Sequence, residues 1–163
     1  MNFAIILRGA AAVGKTTIAN EIAKQINAKV ISFDKVMKDL GLDYVSGDKW
    51  IPEEKFMKAN KEKLPEFKES LKDQTVIFEH NFYHLNHLKD LIENLDCKNQ
   101  VFTLKADVNK CIERDNTRDK NLGKDAVSDV FKLTSAFDFG TCIDTTNKSV
   151  KNVADEIISS FLS

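Results

Sequence analysis

The sequence has no apolar run long enough to cross a bilayer and no excess of charge of one sign. No segment approaches the roughly 20 apolar residues that a membrane-spanning helix needs. The chain has 24 lysines and arginines against 25 aspartates and glutamates, which gives a formal net charge of −1. A protein without an overall basic field is poorly suited to nucleic acid or an anionic membrane as its main partner, although a local basic groove is compatible with this composition.

Cysteine is also scarce and shows no pairing pattern. Cys97, Cys111 and Cys142 are far apart, and none forms a Cys-x-x-Cys pair. An odd number of separated cysteines is typical of free thiols in a reducing compartment. A glycine-containing motif begins at Gly9, which leaves no room for a signal peptide before it. We therefore expect a cytoplasmic protein.

The 163 residues, of which 42% are hydrophobic, suffice for one domain, residues 1–163, with a substantial core. No repeat, linker or low-complexity tract divides the chain. Short apolar runs alternate with helical patterns from end to end, and the predicted strands cover residues 3–7, 29–33, 75–78, 100–104 and 141–144. This alternation predicts an α/β fold in which helices cover both faces of a parallel sheet.

The most specific pattern is GAAAVGKTT, which contains the spacing G-x-x-x-x-G-K-[ST]. It follows a predicted strand and precedes isoleucines at helical spacing, and this context argues against a chance match. Glycines let the backbone approach an anion closely, and successive N–H groups form a concave set of donors at a helix N-terminus. We expect the whole loop to bind phosphate: Gly9, Ala10, Ala11, Ala12, Val13, Gly14, Lys15, Thr16 and Thr17.

Two side chains of this loop are expected to act directly. Lys15 brings a full charge to the outer phosphates, and the Thr16 hydroxyl is placed to coordinate Mg²⁺. Ala12 stands where many such loops have another glycine, which restricts the backbone slightly without removing a donor.

Asp34 follows the second predicted strand, and ligands of open parallel sheets bind outside the carboxyl ends of the strands. It is therefore a candidate base for an acceptor hydroxyl. Alternatively, Asp34 caps the helix that follows.

Glu79 ends the third predicted strand and is a candidate for the magnesium site, although aspartate is the usual residue there. The three histidines follow at His80, His84 and His87. A structural zinc site would need further ligands that the chain does not supply in a second cluster. We interpret the histidines as loop and helix-surface residues, with His80 a candidate neighbour of the substrate.

Arg114 and Arg118 are four residues apart, so a helix would present both on one face. Two cations at the edge of a phosphate site would stabilise a transferring phosphoryl group. The alternative is ordinary surface pairing with nearby acids. The polar, glycine-containing segment at about 118–125 has the character of a closing lid.

The order of these parts resembles the small P-loop kinases. The motifs that carry the resemblance are GAAAVGKTT, Asp34, Arg114-x-x-x-Arg118 and the stretch CIDTTNKS before a terminal helix. The chain is most similar to the branch with adenylylsulfate, gluconate and shikimate kinases, chloramphenicol phosphotransferase, the zeta-toxin-like kinases and the kinase that acts on seryl-tRNA. Only the phosphate loop is highly specific.

This resemblance implies a three-layer α/β/α P-loop fold with a small lid and a five-stranded parallel sheet of order 2-3-1-4-5. It implies catalytic roles for Lys15, Asp34, Arg114 and Arg118, with the two arginines as lid residues, and it places residues 143–147 near the adenine. The signature of nucleoside monophosphate kinases after the third strand is absent, which disfavours a nucleotide acceptor. The guanine motif Asn-Lys-x-Asp is incomplete, so ATP is the expected donor.

Together these patterns predict an ATP- and Mg²⁺-dependent kinase that phosphorylates a hydroxyl of a small molecule. Two alternatives stay open. One is a kinase or NTPase that acts on an RNA or DNA end, and the other is a nucleotide-dependent binding protein without a small acceptor. The sequence identifies neither the acceptor nor the oligomeric state.

Overall fold

The five strands form one parallel sheet in the order β2-β3-β1-β4-β5 in the structure, a computed structural model that describes residues 2–163. This confirms the predicted fold class and strand order. The strands are β1 (Ala4–Gly9), β2 (Lys29–Ser32), β3 (Val76–Glu79), β4 (Asn99–Lys105) and β5 (Thr141–Asp144).

Helices connect the strands. They are α1 (Lys15–Ile26), α2 (Phe33–Asp39), α3 (Glu53–Asp73), α4 (Leu85–Asn94), α5 (Val108–Asn116), α6 (Lys124–Thr134) and α7 (Val150–Leu162). The Ser149 side chain caps α7 by accepting the Asn152 N–H, as an N-cap serine does. Within the described chain, no helix combines the length and apolar character needed to cross a membrane.

Alternate residues of the central strand enter two different cores. Ala4 and Ile6 of β1 pack with the helices α2, α3 and α4. Ile5 and Leu7 pack with α1, α5, α6 and α7 on the opposite face. Because both faces are covered, β1 is apolar along most of its length, and its carboxyl end leads directly into the phosphate loop.

Helix α3 is continuous through Pro65. Proline removes the hydrogen bond to the carbonyl group four residues earlier, that of Lys61. Both Pro65 and Lys61 are exposed, so water can satisfy that carbonyl group. The other side of α3 is held by the burial of Phe56 and Phe67.

His87 contradicts the interpretation of the histidines as loop and helix-surface residues. It is fully buried, and its ring stacks on Phe56 at a centroid distance of 4.7 Å and packs edge-on against Phe33 at 4.8 Å. Neither ring nitrogen has a hydrogen-bond partner among residues 2–163. Desolvation by burial holds the pKa of His87 well below its ordinary value of 6.5, so this histidine is a neutral part of an aromatic core.

We expect the free energy of unfolding to fall between about pH 6.5 and pH 5 in the wild-type protein, and to fall much less in a His87→Leu variant. Below the ordinary pKa of 6.5, the unfolded chain binds a proton at this site that the folded protein does not, so lowering the pH favours unfolding. The effect is at most about 1.4 kcal/mol per pH unit. Leucine fills a similar volume without a polar nitrogen, so stability at pH 7 should change little. Urea unfolding at each pH tests this. The prediction is contradicted if the free energy of unfolding decreases equally with falling pH in the two proteins.

Arg8 is a second buried polar group that the sequence patterns did not indicate. Its guanidinium is fully buried and lies 4.2 Å from the ring centroid of Phe137. It donates to the Phe137 and Thr134 carbonyl oxygens, each at 3.0 Å, and to the Thr103 hydroxyl at 3.2 Å. Arg8 thereby joins β1 to β4 and to the segment after α6, just before the phosphate loop begins.

Candidate functional site

A cavity of about 480 Å³ opens at the carboxyl end of the sheet. Four parts of the chain line it: the loop from β1 to α1, the ends of β2 and β3, the end of α5 with the segment that follows, and the segment between β5 and α7. The side chains of the predicted site that line it are Lys15, Thr16, Asp34, Glu79, Arg114 and Arg118. The structure therefore brings all the predicted catalytic and metal-binding residues together.

The loop backbone has the conformation that its glycines permit. Gly9 has φ 152°, and a Cβ atom there would lie 2.4 Å from the Leu104 carbonyl oxygen of β4. Gly14, just before α1, has φ 108°. Ala12 also has a positive φ, 61°, which costs an L-residue about 1 kcal/mol. The loop conformation therefore strains the alanine that stands in place of glycine.

Lys15 is buried and turned back onto its own loop. Its Nζ donates to the carbonyl oxygens of Gly9 at 3.0 Å and Ala10 at 2.7 Å. Burial lowers the pKa of Lys15 to about 8, although the nearby Glu79 and Asp34 carboxylates oppose this shift. An ammonium group so weakly solvated gains strongly from an anion, because phosphate oxygens can replace its lost hydration.

The Thr16 hydroxyl donates to Glu79 Oε1 at 3.3 Å, which links the start of α1 to the end of β3. These two oxygens fit Mg²⁺, which usually binds through one or two protein oxygens together with waters and substrate phosphates. In the described residues, no group of three or more histidine, cysteine or acidic side chains could hold a metal ion by itself. The donor set therefore suits a metal brought with a nucleotide.

Asp34 lies in the first turn of α2 and opens into the cavity, with 81% of its side chain exposed. The capping interpretation is wrong, because α2 begins at Phe33 and Ser32 occupies the N-cap position. Instead, Asp34 Oδ1 pairs with His80 Nε2 at 3.2 Å. The hydrogen bond from His80 holds the pKa of the Asp34 carboxyl below its usual value, and the charge of Lys15 adds to this effect.

Arg114 and Arg118 do not share a helical face, contrary to prediction, because α5 ends at Asn116 and Arg118 lies beyond it. Arg114 is anchored: its guanidinium donates to the Val13 carbonyl oxygen at 3.2 Å and to the Thr145 carbonyl oxygen at 2.8 Å. Arg118 is half exposed and 3.6 Å from Asp115. Arg114 thus connects the phosphate loop to the segment after β5, whereas Arg118 is more exposed and lines the cavity beside its contact with Asp115.

Asp115 is a site residue that sequence reasoning treated only as a surface acid. It is 1% exposed, and its carboxylate accepts the backbone N–H groups of Leu122 and Gly123 at 3.0 to 3.1 Å. Asp115 therefore fixes the backbone of Leu122 and Gly123, near the carboxyl end of the predicted lid. Its position four residues after the buried Cys111, on the same side of α5, is the sequence signal that could have revealed this role.

Thr145, within the segment 143–147 predicted to lie near the adenine, also lines the cavity, as does Asn81, which was not singled out from the sequence. Thr145 is buried, and its hydroxyl donates to the Val13 carbonyl oxygen at 3.1 Å. The cavity continues past Thr145 to Lys148 and Val150, which follow the predicted segment 143–147.

The chain shares its fold with solved structures of several small kinases, as the sequence resemblance predicted. No family model matches the chain, and no curated protein matches its sequence. The tunicamycin resistance protein of Deinococcus radiodurans is 20% identical over 99% of this chain and 96% of its own, with a TM-score of 0.71. A sugar kinase from Janibacter is 11% identical over 98% and 94%, with a TM-score of 0.75. The APS kinase of Mycobacterium tuberculosis, solved with AMPPNP and APS, is 12% identical over 99% and 98%, with a TM-score of 0.69.

Proposed function

We propose that this protein is an ATP- and Mg²⁺-dependent kinase that transfers the γ-phosphoryl group to a hydroxyl of a small molecule. The observation that carries the proposal is the position of the Asp34 carboxylate, which lines the same cavity as Lys15 and Thr16 of the phosphate loop. A phosphate loop alone fits many functions. A carboxylate beside it, open to the cavity, is what transfer to an acceptor hydroxyl requires.

In this reaction the acceptor oxygen forms a bond to the γ-phosphorus. The bond between that phosphorus and the β,γ-bridging oxygen breaks, and ADP leaves with its electron pair. Asp34 orients the hydroxyl and accepts its proton, which then passes to solvent. Because the pKa of Asp34 is held below its usual value, the carboxylate is ionised and ready to accept a hydrogen bond at neutral pH.

The remaining residues bind and stabilise charge. Lys15 and the loop N–H groups hold the phosphates, and Arg118 approaches the transferring group from the end of α5. Thr16 and Glu79 would hold Mg²⁺, which when bound neutralises charge on the β- and γ-phosphates. Arg114 holds the phosphate loop next to the segment after β5 through its hydrogen bonds to the Val13 and Thr145 carbonyl oxygens.

The size of the cavity is that of a small-molecule site, which the nucleotide would share with the acceptor. The volume of about 480 Å³ lies within the range of roughly 300–1,000 Å³ that small-molecule sites usually occupy.

The free thiols of Cys97, Cys111 and Cys142 support a reducing, cytoplasmic location.

The direct test is acceptor-dependent ADP release by the purified protein with MgATP. A panel of sugars, sugar acids, polyols, shikimate, nucleosides and adenylylsulfate covers neutral and anionic hydroxyl compounds, and mass spectrometry identifies any phosphorylated product. We expect at least one compound to raise ADP release well above the rate with water alone. Tight ATP binding without transfer to any compound of the panel would count against the proposal.

A second expected result concerns the pH dependence of ATP binding. Lys15 loses its proton as the pH rises through about 8, and only the protonated form attracts phosphate strongly. We therefore expect ATP affinity to fall above that pH, by at most tenfold per pH unit. In a Lys15→Arg variant the guanidinium stays charged, so affinity should be nearly constant even if it is lower. Calorimetric titrations from pH 7 to about 9.5 test this. If ATP affinity falls equally with rising pH in both proteins, Lys15 is not the titrating group.

A further inference from the structure

We propose that His80 is a positioning residue for phosphoryl transfer: it holds the Asp34 carboxylate so that the second oxygen, Oδ2, faces the acceptor hydroxyl. The inference rests on the proposed function and assigns a role to a side chain outside the phosphate loop, the metal-binding pair and the arginines. It is carried by the hydrogen bonds of the His80 ring and by the packing around it.

The hydrogen bonds of His80 fix which ring nitrogen carries the proton. His80 Nδ1 accepts the backbone N–H of Phe82 at 3.0 Å, so in the neutral ring the proton is on Nε2. Nε2 lies 3.2 Å from Asp34 Oδ1 and therefore donates to it. In residues 2–163 the structure gives the Asp34 carboxylate no other hydrogen bond, so Oδ2 is available to a ligand.

The ring of His80 is also held rigidly. Only 3% of its side chain is exposed, and it lies against Phe56 at a centroid distance of 5.1 Å and Phe82 at 5.4 Å. The backbone N–H of His80 donates to the Leu7 carbonyl oxygen of β1 at 3.2 Å, next to the phosphate loop. A fixed ring that donates to an exposed carboxylate is suited to orient that carboxylate, because the carboxylate itself is held by little else.

Phe82, whose N–H bonds His80, has an unusual backbone conformation. Its φ is 47°, in the left-handed region that a bulky residue rarely adopts, and its ring is fully buried. The Phe82 N–H is the group that His80 Nδ1 accepts, and the Phe82 ring packs against the His80 ring. Strained backbone of this kind is often found where a functional side chain must be held in one orientation.

Two substitutions separate the bond to Asp34 from the bond to Phe82. In His80→Gln the amide nitrogen takes the place of Nε2 and can still donate to Asp34. In His80→Asn the shorter amide takes the place of Nδ1, so it can accept the Phe82 N–H but cannot reach Asp34. If His80 acted only by stabilising the turn, the asparagine variant would be the better enzyme.

We expect His80→Asn to lower kcat by about 10- to 100-fold while the KM for ATP stays within about threefold, and His80→Gln to keep most of the wild-type kcat. In an Asp34→Asn background, His80→Asn should cause little further loss, because the two residues act as a unit. His87→Leu, which alters the same aromatic core without touching Asp34, is the control and should keep kcat. The proposal is overturned if His80→Asn keeps the wild-type kcat, or if it lowers kcat by the same factor in the Asp34→Asn background.

A measurement without turnover keeps this inference separate from the proposed function. Nitrogen-15 NMR of histidine-labelled protein should show His80 protonated on Nε2, and Asp34→Ala should shift the Nε2 resonance far more than the Nδ1 resonance. The signal is assigned by its loss in His80→Gln. A proton on Nδ1, or an Nε2 resonance that is insensitive to Asp34→Ala, would overturn the inference even in an active kinase. If the NMR signals are as expected but the protein phosphorylates no acceptor, only the proposed function is contradicted.

Discussion

Replacing Asp34 with asparagine is expected to lower kcat by about 10²- to 10⁴-fold, the range that a positioned general base contributes. Asparagine keeps the shape of the side chain and can accept the hydrogen bond from His80, but it cannot take a proton from the acceptor. The side chain is 81% exposed, so the fold should tolerate the change. ATP affinity, measured by calorimetry, should stay within about threefold, because the loss falls on the transfer step.

Helix α2 supplies a matched control for this change. Asp39 lies at the carboxyl end of the helix and pairs with Lys35 on the surface at 2.7 Å. Asp39→Asn removes the same charge from the same helix without touching the cavity, and it should leave kcat unaltered. If Asp34→Asn keeps full turnover with the best acceptor, Asp34 is not the base, and the proposed role of His80 also fails.

The second large effect is expected from Lys15→Met. Methionine keeps an unbranched apolar side chain one atom shorter than lysine but removes the charge that the phosphates would meet. We expect ATP affinity to weaken by at least about tenfold and kcat/KM to fall by about 10³-fold, as when a preorganised donor to a developing charge is removed.

The stability of Lys15→Met is the measurement that separates lost function from lost structure. The buried ammonium has its pKa lowered to about 8, so holding the charge at neutral pH costs the folded protein free energy. Its removal should therefore leave the thermal midpoint of the nucleotide-free protein at or above the wild-type value. Lys24→Met, on the exposed side of α1, is the control and should affect neither binding nor turnover. Near-wild-type kcat/KM in Lys15→Met would remove the lysine from the mechanism.

The parts of the fold that sequence could predict are those set by regular spacing or by a local motif. The five strands and the loop from Gly9 to Thr17 are of this kind, because apolar runs and glycine spacing are visible in a single sequence. The order of the strands came from the family resemblance, since spacing alone does not fix which strands pair.

The missed features depend on contacts between distant segments. His87 continues the apolar face of α4, but only the packing of Phe33 and Phe56 around it shows that it is buried. The end of α5 at Asn116 separates Arg118 from Arg114, which helical spacing alone would have kept on one face. The contact between His80 and Asp34 joins the segment after β3 to α2 across 46 residues of the chain, and no local pattern indicates the left-handed backbone at Phe82 beside it, because phenylalanine seldom adopts it.

The buried guanidinium of Arg8 has a consequence for how the chain assembles. Two of its acceptors, the carbonyl groups of Thr134 and Phe137, lie 126 and 129 residues later in the chain. β1, the central strand and the first to be synthesised, therefore cannot bury Arg8 favourably until the segment after α6 has been made. In a nascent chain that ends before residue 134, burying Arg8 would leave a desolvated cation without these partners, a costly state. Contacts between residues so far apart in the sequence slow folding. We therefore expect the phosphate loop to become ordered late, only after most of the sheet has formed.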